Sequence, residues 1–153
     1  MIKKDREITS LKEIEEVIQK ALVCRLGMTD GNEPYIVPMN FGYKDKTLYF
    51  HTGVAGRKID LIKRNNRVCF EVETDVEAVS AETACKWNMR YRSVIGTGKA
   101  YILDEETAKA EGLKVVVSHY MKNEFSIPHD ILGEVAVIKI EIETMSGKRS
   151  KPF

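Results

Sequence analysis

The sequence predicts a mainly β fold with flanking helices, in which about six antiparallel strands form a small closed or split barrel. Three observations point there. Apolar and polar residues alternate with a period of two in one segment after another, as half-buried strands require. Asp30-Gly31 and Lys44-Asp45-Lys46 join neighbouring strand-like runs through turn residues, which makes consecutive strands antiparallel. Gly96 and Gly98 share a face of one long strand, as a bend at a barrel corner requires.

The elements follow in order. Thr9 or Ser10 caps a helix over Leu11 to Ala21, with Glu13 placed to complete a capping box and Leu11, Ile14, Val17, Ile18 and Ala21 on one apolar stripe. Leu22, Cys24, Leu26 and Met28 form one face of the first strand. After the Asp30-Gly31 turn the return strand is Tyr35 to Tyr43, with Tyr35, Val37, Met39, Phe41 and Tyr43 on one face and Pro38 and Asn40 on the other. Pro38 cannot donate to a ladder, so this strand is expected at an edge or a bulge, where open backbone groups can meet a flat polar ligand such as a flavin ring, although most prolines at edges serve only to prevent unwanted pairing.

Leu48 to Thr52 is the next strand. Gly53 and Gly56 break its pattern, and from Arg57 the period becomes helical, with Ile59, Leu61 and Ile62 apolar and Asn65-Asn66 as the stop. A strand therefore runs through a glycine-bearing loop into a helix opened by two cations. The first amides of a helix lack intrahelical acceptors and lie at the positive end of its dipole, so a phosphate can dock there with Arg57 and Lys58 neutralising it. The spacing is neither a Walker loop nor a Rossmann fingerprint, and two cations opening a helix also occur as an ordinary solvated face.

Val68, Phe70 and Val72 mark another strand, and the polar, acidic stretch from Thr74 to Ala84 reads as a loop. Trp87 to Ile102 is the long glycine-bent strand. Asp104 caps a second long helix to about Met121, with Leu113, Val116, Val117 and Tyr120 as its buried stripe, and Asn123 to His129 is a loop. The last strand, Glu134 to Glu143, puts Ala136, Ile138, Ile140 and Ile142 on one face.

At 153 residues the chain forms one domain, residues 1–153, with no repeat, linker or low-complexity segment. The formal net charge is only +1 and no basic stripe dominates, so a nucleic-acid or acidic-membrane partner is not expected. The opening Met-Ile-Lys-Lys-Asp-Arg-Glu-Ile is charged with no apolar run behind it, which argues against a signal peptide or a membrane span and makes the cytoplasm the expected location. Cys24, Cys69 and Cys85 form no Cys-x-x-Cys pair, and His51, His119 and His129 have no ligand spacing. Neither a disulfide framework nor a metal site is expected, and Cys24 and Cys69 read as small core residues of strands.

These pieces, in this order, resemble the pyridoxamine 5′-phosphate oxidase-like split-barrel family, in particular its nitroimidazole-resistance branch of flavin-binding proteins. The motifs are Lys-Asp-Arg-Glu-Ile at 4–8, Val-Cys-Arg-Leu at 23–26, Pro-Tyr-Ile-Val-Pro-x-Asn-Phe at 34–41 and Leu-Tyr-Phe-His at 48–51. Gly-Arg-Lys-Ile-Asp-Leu at 56–61, Arg-Tyr-Arg-Ser-Val-Ile-Gly at 90–96 and Val-Ala-Val-Ile-x-Ile at 135–140 complete the set. The resemblance implies a homodimer of six-stranded split barrels binding FMN, or its dinucleotide relative FAD, at the subunit interface. By the matching motifs Gly56, Arg57 and Lys58 hold the phosphate, and Val37, Pro38, Met39 and Asn40 run beside the isoalloxazine ring. His51 and Thr52 line the same cleft, while Trp87, Arg92 and Ser93 approach from the partner subunit. The pyridoxamine 5′-phosphate oxidases proper carry a C-terminal arginine and histidine motif for the substrate phosphate, and the ending Gly-Lys-Arg-Ser-Lys-Pro-Phe lacks it, which argues against vitamin B6 oxidation.

The expected function is a flavin-dependent reductase of small molecules, nitroimidazole-like compounds included. In that scheme the cofactor supplies the electrons, the protein orients cofactor and acceptor, and His51 is the candidate proton donor. The alternative is a module that carries or senses flavin, or haem, without turnover.

Overall fold

A computed structural model describes residues 4–151, so the first three residues of the charged opening and the last two of the Gly-Lys-Arg-Ser-Lys-Pro-Phe ending lie outside it. The elements are β1 (Glu7–Ile8), α1 (Leu11–Lys20), β2 (Cys24–Asp30), β3 (Glu33–Met39), β4 (Gly42–Lys44), β5 (Thr47–Gly53), α2 (Arg57–Arg64), β6 (Arg67–Val79), β7 (Asn88–Leu103), α3 (Glu106–Tyr120) and β8 (Val135–Arg149). All strand pairs are antiparallel, in the order β3-β2-β6-β7-β8-β5-β4, with β1 added to β8. The sheet has eight strands where six were expected.

One additional strand is β1, which pairs with β8, and the other has a physical cause in the return strand. The predicted return strand breaks at Asn40–Phe41, and its halves pair with different partners: β3 with β2 at one edge of the sheet, β4 with β5 at the other. The chain between them brings the two edges together without a ladder, which is the split of the barrel. Met39, Phe41 and Tyr43 all face inward and are buried on either side of the break, so the alternation runs through it unbroken.

The core is the concave side. Phe41, Phe50 and Phe70 are at most 1% exposed, and burying a side chain of this size stabilises the fold by roughly 1.5–3 kcal/mol. α1 lays Ile14, Val17 and Ile18 on this core, and Ser10 accepts the Glu13 amide at 3.4 Å as its N-cap. The Glu13 carboxylate does not complete the box; it pairs with Arg149 at 3.1 Å. α2 buries Ile59, Leu61 and Ile62 in the same core and stops at Asn65 as expected.

Gly96 and Gly98 lie where the bend was expected. A Cβ on Gly96 would meet the Phe70 ring at 2.4 Å, one on Gly98 the Glu141 carbonyl at 2.3 Å, and the β7–β8 register shifts between Thr97 and Gly98.

Several expectations are corrected. Leu22 is 70% exposed and precedes β2, and Leu11 is also exposed. The first hairpin loop is Gly31-Asn32, one residue later than predicted. Thr74–Val79 is strand, a continuation of β6 past an irregularity at Asp75 (φ 57°), and β8 runs on to Arg149. α3 starts at Glu106 without a side-chain cap from Asp104, and it buries Gly112, Leu113, Val116 and His119 while Tyr120 faces outward. Cys24 is buried, whereas Cys69 lies exposed on the outer face of β6.

α3 covers the outer side of the sheet at β4, β5 and β8, where Leu113, Leu132 and Val137 form a second small core with Tyr49 and Leu103. Among the described residues α3 leaves the outer side at β3, β2, β6 and β7 uncovered, and Ile36 and Ile95 are exposed there. No helix among the described residues is long and apolar enough to cross a membrane.

Candidate functional site

The site is built at the entry to α2. β5 ends at Gly53, and the loop to Gly56 reverses the chain. Gly56 has φ 132°, a conformation side-chain-bearing residues rarely adopt, and open space surrounds the place its Cβ would occupy. It occupies the N-cap position of α2 without a capping side chain, and the helix closes its first bond from the Asp60 amide to the Gly56 carbonyl at 3.1 Å. The first amides of α2 are thus left without a side-chain acceptor.

Arg57 is exposed and Lys58 half-buried, and among the described residues neither pairs with a carboxylate. Arg25, Arg64, Arg67, Arg90, Arg92 and Arg149 all do. The Arg57 guanidinium instead lies over the Tyr35 ring, 4.4 Å from its centroid. Unpaired cations, uncapped amides and a side-chain-free Gly56 form a donor set that suits the phosphate of a flavin nucleotide.

Beside this anchor runs β3. It is an edge strand, as Pro38 implied, with Val37 half-buried, Pro38 exposed and Met39 turned into the core. Asn40 is exposed in the gap between the two sheet edges. Phe41 packs against Phe50 of β5, ring centroids 6.5 Å apart, which brings the crossover alongside the strand that carries His51 and Thr52. Those two leave β5 on opposite faces: Thr52 on the side of Phe50, His51 exposed on the side of Tyr49. Strand residues alternate, so the two side chains leave this strand on its opposite sides.

Trp87, Arg92 and Ser93 are not brought to the anchor within one chain. Trp87 is 58% exposed just before β7, and Arg92 and Ser93 lie in the early part of that strand. The Ala100 amide, eight residues beyond Arg92 and roughly 26 Å of extended chain away, donates to the Asn66 carbonyl just past the end of α2 at 2.8 Å. Arg92 is committed to Asp75, with Nε at 2.7 Å and Nη2 at 2.6 Å, and Lys20 binds the same carboxylate. The Lys20 hydrogen bond, followed by that of Arg92, holds the Asp75 carboxyl below its usual range against the opposing effect of burial.

Two open clefts lie elsewhere. One of about 650 Å³ runs between α2 and β7, lined by Val54, Ile59, Ile62 and Tyr101 among others. Another of about 670 Å³ is lined by Asp75, Glu77, Arg90, Arg92, Arg149 and Lys151 among others. Arg57 and Lys58 line neither, so cleft size alone does not locate the anchor.

Tyr35, Asp75, His119 and Tyr120 had no site role in the sequence. Tyr35 carries a signal in hindsight, being two residues from Val37 on the same face of the edge strand. Asp75 has none, because the stretch around it shows no period.

A family model described as pyridoxamine 5′-phosphate oxidase matches residues 10–149. The chain is 35% identical to a candidate 5-nitroimidazole antibiotic resistance protein of Bacteroides thetaiotaomicron, whose crystal structure superposes with a TM-score of 0.83 over 94% of this chain and 86% of that one. An FAD- and haem-binding protein of Mycobacterium smegmatis shares the fold at 16% identity, with a TM-score of 0.84 over 96% of this chain and 74% of that one. A flavocytochrome of Azotobacter vinelandii does so at 21%, with 0.80 over 95% and 70%. An uncharacterised protein of Rhizobium meliloti (strain 1021) is 28% identical over 92 residues, 60% of this chain and 54% of that protein, so the match spans about half the length of this curated relative. With its split antiparallel sheet and these matches across nearly its whole length, the chain belongs to the pyridoxamine 5′-phosphate oxidase family, on the nitroimidazole-resistance branch.

Proposed function

We propose that the protein binds FMN between two copies of itself and passes electrons to small-molecule acceptors, nitroimidazole-like compounds among them. The observation that carries this reading is the pair Arg57 and Lys58, free of carboxylates at the uncapped start of α2. Bound flavin would supply the redox chemistry. The chain's own residues bind and orient it: Arg57, Lys58 and the α2 amides hold the phosphate, while Val37, Pro38, Met39 and Asn40 offer an edge-strand main chain to the ring. Thr52 borders the cleft from β5. His51 is exposed and has no hydrogen-bond partner among the described residues, which leaves its ring nitrogens available to carry a proton to an acceptor.

The second copy has its own support. Arg92 and Ser93 lie in the early part of β7, where Arg92 is held by Asp75, and a site that uses them together with Arg57 would take them from two chains. The outer face of β3, β2, β6 and β7 would offer the surface, with Ile36 and Ile95 exposed on it. The dimer would share its two sites between subunits.

The test is the visible spectrum of the purified protein, followed by titration of the flavin-free form with FMN and with riboflavin. A flavin spectrum and a strong preference for the phosphorylated ligand are expected. A haem spectrum, or equal binding of the two flavins, overturns the assignment. Sedimentation of the FMN-loaded protein as a monomer at micromolar concentration contradicts the shared site.

A further inference from the structure

Tyr120 ends α3, and its hydroxyl is engaged twice. It accepts the Phe41 amide at 3.1 Å and donates to the Leu22 carbonyl at 2.8 Å. One residue earlier, buried His119 donates from Nε2 to the Ala21 carbonyl at 2.6 Å and stacks its ring 4.4 Å from that of Phe41. Two consecutive side chains of α3 thereby tie the exit of α1 to the crossover between the sheet edges.

At the crossover neither edge ladder holds the main chain. β3 makes its last pair between Met39 and Cys24, and β4 makes its first between Gly42 and Tyr49. Asn40 and Phe41 lie between these pairs. The Phe41 amide is held there by a side chain 79 residues further along the sequence.

We infer that Tyr120 is a positioning residue for the cofactor site, its hydroxyl fixing the Met39–Asn40–Phe41 main chain against which the flavin ring is held. This rests on the flavin-binding reading above and deepens it. Backbone dipoles favour a charged ligand state only when held in place beforehand, since a mobile segment must be ordered each time. Reduced flavin carries more negative charge than the oxidised form. The Phe41 amide is engaged by Tyr120, so the Asn40 amide beside it is the donor that this hold would aim at the ring edge; held there it would favour the reduced form, and releasing it would lower the reduction potential.

The experiment compares the wild type, Tyr120→Phe and Gly98→Ala as full-length, FMN-loaded proteins. Gly98→Ala lowers stability inside the barrel, away from the crossover, and so separates positioning from general loosening. Two quantities are read: the potential of the bound flavin, and hydrogen exchange of the Phe41 amide in the flavin-free proteins. In Tyr120→Phe, Phe41 exchange should speed up at least tenfold. The affinity for reduced relative to oxidised flavin should fall about tenfold, which is ~30 mV for a two-electron couple. Gly98→Ala should leave the potential unchanged.

A wild-type potential in Tyr120→Phe, with FMN bound normally, overturns the inference alone, as does an equal shift in Gly98→Ala. Wild-type protein that binds no FMN defeats the flavin reading and the inference together. Should Tyr120→Phe not fold, the wild type still decides: its Phe41 amide should already exchange at least tenfold more slowly than an unstructured amide in the flavin-free protein, and an unprotected Phe41 amide overturns the proposal.

Discussion

The Arg57 guanidinium lies 4.4 Å from the centroid of the Tyr35 ring, and this contact joins the start of α2 to the free edge of the sheet. Tyr35 is on β3, two residues before Val37, so the residue proposed to grip a phosphate is braced by the strand proposed to flank the ring. The arrangement follows from the core: burying Ile59, Leu61 and Ile62 fixes the rotation of α2 and leaves Arg57 at its rim. The ring face attracts the cation without neutralising it, so the guanidinium stays available to an anion.

Arg57→Ala or Lys58→Ala should each weaken FMN binding by roughly tenfold or more, because a hydrogen bond to a charged group is worth about 1.5–3 kcal/mol. Riboflavin binding should change far less. Tyr35→Leu removes only the brace, worth about 0.5–1 kcal/mol at an exposed site, and should weaken FMN binding about two- to fivefold. Fluorescence titration with both ligands checks all three variants, and equal losses for FMN and riboflavin would remove the phosphate from the assignment.

The strand, loop and helix that carry Arg57 and Lys58 were legible in the sequence because each part has a local signal. Ile59, Leu61 and Ile62 set a helical period, Gly53 and Gly56 interrupt the strand before it, and Asn65 ends it. The break at Asn40–Phe41 was not legible, since Met39, Phe41 and Tyr43 keep facing inward while the ladder partner changes from β2 to β5. Thr74–Val79 escaped for a different reason. It pairs with Asn88–Arg92 at the solvent end of the sheet, with Glu77 and Ala78 exposed, so no buried face imposes a period on it. The face of α3 was misjudged because Gly112 is a contact residue: a Cβ there would meet Val137 at 2.8 Å and Tyr49 at 3.0 Å, and a glycine gives no apolar signal. The pairing of Arg92 with Asp75 depends on the turn at Asp75 inside that unread strand.

Gly98→Ala should destabilise through space and Gly31→Ala through backbone conformation. A Cβ at Gly98 would lie 2.3 Å from the Glu141 carbonyl, which the β7–β8 ladder holds in place, while Gly31 has open space but a φ of 60°. Overpacking costs typically about 1–3 kcal/mol, and the left-handed conformation costs a residue with Cβ roughly 1–2 kcal/mol. At roughly 2–4 °C per kcal/mol for a domain of this size, both should lower the melting temperature measurably. Gly31→Asn should recover most of the loss at that site, because asparagine tolerates the left-handed region, and Gly98→Asn should recover none.

His119 should make stability fall on mild acidification. Burial, the largest influence, lowers its pKa below the ordinary value of 6.5, with the Ala21 carbonyl opposing and Lys122 assisting. A lowered folded pKa means that below about pH 6.5 the unfolded chain binds a proton the folded protein refuses, so stability is lost as pH falls from there toward the folded value. Glu71 acts with the opposite sign, since burial raises its carboxyl pKa and folding therefore favours its protonated form. Denaturant titrations of wild type and His119→Gln across pH 5–8 separate the two, because Glu71 contributes equally to both. The gap between the curves should depend on pH below about 6.5 and be flat above it; a gap independent of pH throughout would show that His119 does not titrate on unfolding.

Turnover asks for more than binding. Only interactions stronger in the transition state than in the ground state accelerate a reaction, so a firm grip by Arg57 and Lys58 predicts no rate gain by itself. The proposed gain comes from holding a flavin ring at the open edge between β3 and β4, where an acceptor can reach it, with a protonatable side chain on the neighbouring strand. Chemically reduced, FMN-loaded protein should therefore pass electrons to nitroaromatic acceptors faster than free reduced flavin does under anaerobic conditions. His51→Ala should slow this step by roughly 10²–10⁴-fold at nearly unchanged FMN affinity, the range for a lost general acid. Thr52→Val, on the other face of β5, should leave the proton step intact and act on binding alone. Stopped-flow reoxidation across a panel of nitro compounds and quinones distinguishes the cases. Loss of affinity without loss of rate in His51→Ala makes His51 a binding residue, and wild-type rates no faster than free flavin make the protein a flavin carrier.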